Sequence, residues 1–171
     1  MSAFGTGRRF RVGNARGQAL VEFALVLPIM ILMFMGVFDL GRFIFADNEI
    51  SNAAREGVRT GIVNQYAPDI RNRAAAQAVA LGVATTPPSA CDANNVPADP
   101  TGVCVKFVDQ GTLTNTCNPI TVGCVAVVTV KYTYSALTPI IGGLVGPRPV
   151  VSTSKQPIES VCTATSGCPI P

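Results

Sequence analysis

Histidine and tryptophan are absent from the 171 residues, and only 13% of them are charged. Without histidine the chain lacks the side chain that most often serves as general base or metal ligand near neutral pH. No serine, threonine or cysteine stands in a recognisable nucleophile motif either, so the sequence argues against an enzyme and offers no catalytic residues. Spacings of the CxxC type are missing, which removes the usual zinc arrangement and leaves no metal or other cofactor to expect. Acidic residues are scarce as well: there is none before Glu22, and the net charge of +3 comes from 13 basic against 10 acidic residues. That excess lies in Arg8, Arg9, Arg11 and Arg16 set against Glu22, and beyond residue 38 nine basic residues face nine acidic ones. So even a balance does not make a phosphate-binding groove, and neither a nucleic acid nor a small-molecule substrate is expected as a partner.

What the chain does have is one long apolar run. From Ala19 to Phe38 the only charge is Glu22, and about 20 helical residues span the ~30 Å hydrocarbon core of a bilayer. The arginine-rich flank before it and the mixed charges after it put the N-terminus in the cytoplasm by the positive-inside rule. The expected organisation is a basic cytoplasmic leader over 1–17, a transmembrane helix over 18–45 and an extracytoplasmic α+β domain over 46–171. A cleaved signal peptide also has a basic start and an apolar core. Here the run is too long, it contains Glu22, and no small-x-small site follows Phe38; Asp39-Leu40-Gly41-Arg42 comes instead.

Helical patterning continues from Gln18 to about Asn64, interrupted by Pro28, which removes one backbone hydrogen bond and is expected to bend or loosen the helix. Ile50, Ala54, Val58 and Ile62 form one apolar stripe. Beside it Ala53, Gly57 and Gly61 recur every four residues, a spacing that lets another element approach closely, either a helix of another molecule or this protein's own outer domain. A second helix is expected from about Pro68 to Leu81, with Pro68 and Asp69 suited to its first turn and Gly82 to its end. Residues 85–100 read as a loop.

Strand signals fill the rest. Val103, Val105 and Phe107 alternate with Cys104 and Lys106, then Ala126, Val128, Val130, Tyr132 and Tyr134 alternate with polar neighbours. Val150 to Ile158 makes a weaker third strand, with Pro157 at its end or on an edge. The fold class is therefore α+β: a long N-terminal helix, membrane-spanning in its first half, and a short second helix packed on a small antiparallel sheet. All six cysteines, Cys91, Cys104, Cys117, Cys124, Cys162 and Cys168, lie in the outer half, as disulfides in an oxidising compartment would. Proximity favours Cys117 with Cys124 and Cys162 with Cys168. The connection Leu137 to Val145 is apolar where a polar hairpin loop would be usual; it is expected to tuck under the sheet, lie on the outer membrane leaflet, or meet a partner protein.

Glu22 is the residue that most needs a function. A carboxylate inside a membrane-length helix costs several kcal/mol near the bilayer centre, roughly 2.5 to 3.5 on insertion scales and less near an end, so it calls for a cation or for a place at the headgroups.

Arg16-Gly17-Gln18-Ala19-Leu20-Val21-Glu22-Phe23, with the apolar run to Pro28, is followed by Gly36-Val37-Phe38-Asp39-Leu40-Gly41-Arg42 and by Ala53-Ala54-Arg55-Glu56-Gly57-Val58-Arg59. In order and spacing these resemble the N-terminal signature of the TadE-like family of tight-adherence pilus proteins, and Leu137-Thr138-Pro139-Ile140-Ile141-Gly142 resembles a later part of it. The resemblance implies a minor pilin or pseudopilin-like component of a Tad-type pilus or related secretion machine, in the inner (cytoplasmic) membrane or in a surface pilus. It also implies a prepilin peptidase, other pilins and the pilus assembly platform as partners besides membrane lipid. In such families the peptidase cuts after a glycine on the cytoplasmic side. Here the cut would fall between Gly17 and Gln18 and leave Glu22 and Phe23 as the fifth and sixth residues. The new α-ammonium could pair with Glu22 of a neighbouring helix, offsetting the desolvation of both. An uncleaved, single-pass, membrane-anchored adhesin or binding module is the alternative; it accounts for the cysteine-stapled domain but leaves Gly17 and Glu22 without a reason.

Overall fold

The computed structural model describes residues 15–83 and 91–163. A single helix, α1, runs over Ala15–Gly61 with Pro28 inside it. Contacts divide the chain into two compact units, one up to Phe38 and one from Asp39 onward. In the first unit every described residue from Gly17 to Met35 is exposed, and the described residues leave that apolar surface uncovered. Length and composition suit it to crossing a membrane.

The second unit is built around the amphipathic remainder of α1. Ile50, Ala54 and Val58 are completely buried, and Ile62, the last member of that stripe, is partly exposed. A second helix, α2, covers Ala67–Gln77 with Pro68 and Asp69 in its first turn. The expected end at Leu81 divides in two: a 3₁₀ turn over Val79–Leu81 follows α2, and Gly82 closes it in the left-handed region at φ 64°, where glycine carries no Cβ penalty.

Three strands form one antiparallel sheet in the order β1 (Gly102–Asp109), β2 (Cys124–Tyr134) and β3 (Arg148–Pro157). The registers Val103↔Val130, Val105↔Val128 and Phe107↔Ala126 put those residues on the face that meets α1 and α2. Ile70, Ala74 and Ala75 from α2 complete this core. Pro157 is the last residue of β3, where a missing N–H costs no ladder bond.

The opposite face of the sheet carries Val108, Val125 and Val127 in a smaller cluster. Loop residues 91–100 are fastened there. Buried Asn95 donates to the Val127 carbonyl at 3.3 Å, the Lys131 ammonium donates to the Pro97 carbonyl at 2.8 Å, and Thr133 donates to the Pro100 carbonyl at 2.7 Å. A Cys91–Cys104 disulfide, with Cα atoms 6.0 Å apart, ties the same loop to β1. Cys117 and Cys124 form the expected bridge across the β1–β2 connection. Cys162 is also disulfide-bonded, but Cys168 lies outside the described residues, as does the expected pairing of the two.

The apolar connection between β2 and β3 is a helix, α3, over Pro139–Val145. It is not tucked under the sheet: Leu137 is 64% and Leu144 87% exposed. Of the three alternatives for this connection, these exposures disfavour burial: α1 and α2 cover one side of the sheet and loop residues 91–100 are fastened to the other.

Candidate assembly site on the first helix

At the N-terminal end of α1, Gly17, Gln18, Glu22 and Phe23 are all exposed. Gln18 and Glu22 are four residues apart, which on a helix puts them on one face about 6 Å along the axis. A Cβ added at Gly17 would meet nothing within 4 Å. The ion pairs among the described residues are Arg42–Asp39 and Arg73–Glu56; neither engages Glu22. The helix therefore carries an exposed carboxylate about one turn from Gly17, and no ion pair among the described residues engages it.

A second acid, Asp39, sits at the other end of the apolar run and is handled in the opposite way. It is 5% exposed, and its carboxylate accepts the backbone N–H of Leu137 at 3.0 Å and that of Thr138 at 3.1 Å. The Thr138 hydroxyl donates to the same carboxylate. The Tyr134 hydroxyl donates to the Asp39 carbonyl at 2.7 Å, and burial, with the Asp39 charge next to it, pushes the Tyr134 phenol above its ordinary pKa, which keeps it a neutral donor. Arg42, one turn on, lies 3.8 Å from the carboxylate and 5.8 Å from the Tyr134 ring centroid, and Phe43 meets the same ring edge-on at 5.4 Å. Asp39 thus fastens the start of α3 to α1 with charge-assisted hydrogen bonds, the stronger kind. The sequence held a signal for this cluster in two motif fragments, Phe38-Asp39-Leu40 and Leu137-Thr138-Pro139, but nothing in either says that one binds the other.

Ala53, Gly57 and Gly61 turn inward. Ala53 is fully buried. A Cβ on Gly57 would stand 2.9 Å from a Val128 methyl and 3.0 Å from the Ala74 Cβ, and one on Gly61 would stand 3.2 Å from the Ala126 Cβ. The small residues let β2 and α2 approach α1 within the molecule. Near their C-terminal end, buried Gln65 donates to the carbonyls of Gly61 and Ser160 and accepts from the Cys162 N–H, which ties the chain after β3 to the end of α1. No cluster of three or more potential metal ligands occurs among the described residues.

The family model described as TadE-like protein matches residues 17–59. The match begins at Gly17 and takes in Glu22, Asp39 and the Ala53 to Gly57 stretch. No curated protein and no solved structure matches the chain.

Proposed function

We propose, from the TadE-like segment at residues 17–59, that this protein is a minor pilin or pseudopilin-like subunit of a Tad-type pilus or related secretion machine. It is held in the inner membrane by α1, with the arginine-rich N-terminus in the cytoplasm and the domain from Asp39 onward outside. The observation that carries this reading is the match itself, starting at the glycine where processing would occur. Gly17, where an added Cβ would meet nothing within 4 Å, and exposed Glu22 one turn later, outside the ion pairs among the described residues, support it. A prepilin peptidase would cut after Gly17; the α-ammonium freed on Gln18 would then pair with Glu22 of an adjacent subunit. The remaining exposed surface from Gly17 to Met35 suits burial first in lipid and then among neighbouring helices.

The test is N-terminal sequencing of the membrane-bound protein produced with its cognate prepilin peptidase. The sequence Gln-Ala-Leu-Val-Glu, from Gln18 to Glu22, is the expected start, and Gly17→Ala should be cut more readily than a bulky replacement because the protease must close around the backbone there. The same unprocessed terminus with active and inactive peptidase would refute processing.

A further inference from the structure

Helix α3 and the residue two positions before it present exposed apolar side chains that the described residues do not cover. Leu137 is 64%, Leu144 87% and Val145 44% exposed. The segment begins on Asp39, through the N–H groups of Leu137 and Thr138 at 3.0 and 3.1 Å. Asp39 is bonded directly to Phe38, the last residue of the apolar run. A helix of seven residues is only about 10 Å long, and its start is held on the residue that directly follows that run in sequence. Charge fits the same place. No acid occurs from Ser135 to Ile158; Arg148, the first residue of β3 and three residues beyond α3, is exposed, and Arg42, with its side chain 40% exposed, stands beside Asp39. Exposed apolar residues flanked by arginines are what an interfacial segment needs, with hydrocarbon below and phosphates alongside.

We propose that α3 is a membrane-facing foot that seats Leu144 and Val145 in the outer interface of the bilayer crossed by α1, with Arg42 and Arg148 at the level of the lipid phosphates. The proposal rests on the reading of α1 as a membrane span. A foot tied to the first residue after the span has to be lifted from lipid when the subunit leaves the bilayer.

The absence of tryptophan makes a single reporter possible. Met33→Trp, Leu144→Trp and Val122→Trp are each made in the full chain and reconstituted into vesicles of phosphatidylethanolamine and phosphatidylglycerol, with and without phospholipids brominated at shallow or deep acyl positions. Met33 reports the span, and Val122, 65% exposed just before β2, reports the end of the sheet remote from Tyr134. Leu144→Trp should be quenched roughly twofold or more by shallow bromines, less by deep ones, and be shielded from aqueous acrylamide. Val122→Trp should show the reverse, bright with bromolipid and quenched by acrylamide. Acrylamide quenching of Leu144→Trp without bromine quenching, while Met33→Trp is quenched by deep bromines, would overturn the foot and leave the span standing. Blue-shifted emission from Leu144→Trp with no bromine quenching would overturn it in favour of a protein contact. An unquenched Met33→Trp would remove the span and the foot with it. Val145→Trp repeats the measurement should Leu144→Trp fold poorly.

Discussion

Glu22 and Asp39 bracket the apolar run of α1, and the contrast between them carries most of the functional reading. Asp39 has its hydrogen bonds met inside the molecule, whereas Glu22 is exposed and outside both ion pairs among the described residues. We predict that Glu22→Gln leaves membrane insertion intact or improved, because a neutral amide is cheaper in lipid than a carboxylate. Crosslinking to other pilins should fall about tenfold or more, the effect of losing about 1.4 kcal/mol. Normal crosslinking and normal piliation at matched protein levels would show Glu22 to be a headgroup-level acid only. For the Asp39 cluster the clean probe is Tyr134→Phe, which deletes the hydrogen bond to the Asp39 carbonyl and keeps the ring against Phe43 and Arg42. A loss of about 0.5–1.5 kcal/mol in urea unfolding of the detergent-solubilised chain is expected; an unchanged midpoint would mean that the hydroxyl is equally well satisfied by water. Glu22 was legible in the sequence because an acid interrupts an apolar run. The role of Asp39 was not, since its partners lie 98 and 99 residues away and no periodicity connects them.

The elements that a repeating pattern specifies, α1, the stretch around α2 and the three strands, stand where three-to-four-residue and two-residue periods put them. Two features depended on packing instead. The Ala53, Gly57 and Gly61 stripe says that something comes close, but which surface comes close is decided by the position of β2 and α2. Helix α3 is too short for a period to declare itself, and Gly142 and Gly143 lower its propensity; Pro139 at its start and the Asp39 tether define it. We predict that Gly57→Leu destabilises the outer domain by about 1–3 kcal/mol through overpacking against Val128 and Ala74. Gly41→Ala has nothing within 4 Å of the new Cβ and should be neutral or stabilising by up to about 1 kcal/mol through helix propensity. Thermal unfolding of the two variants side by side is the check. Equal melting points would mean that β2 and α2 do not hold α1 as closely as the structure has them.

At the scale of the whole molecule the organisation follows from one asymmetry of charge. Four arginines and no acid precede Glu22, and nine residues of each sign follow Phe38. In the proposed orientation, retention of four unopposed cations on the cytoplasmic side would set the direction in which α1 is inserted, and disulfides such as Cys91–Cys104 and Cys117–Cys124 suit a compartment where thiols are oxidised. Both observations support the proposed orientation, with the unit that begins at Asp39 outside, and they are independent, since one concerns the flank of the helix and the other the chemistry of the domain. The prediction is therefore that reporter fusions after residue 45 read as extracytoplasmic, that fusions within 1–16 read as cytoplasmic, and that protein recovered from the envelope without reduction shows no free thiol among Cys91, Cys104, Cys117 and Cys124. Reversing the charge asymmetry, by replacing Arg8, Arg9, Arg11 and Arg16 with glutamine, should produce a population of inverted molecules in which those four cysteines become reactive to alkylating reagents. If the quadruple replacement leaves orientation unchanged, the direction of insertion is set by the folded domain and the arginines have another purpose. If the unaltered protein already shows cytoplasmic labelling between Thr101 and Tyr134, the orientation proposed here is wrong, and with it the pairing of Glu22 with an amino terminus freed on the cytoplasmic side.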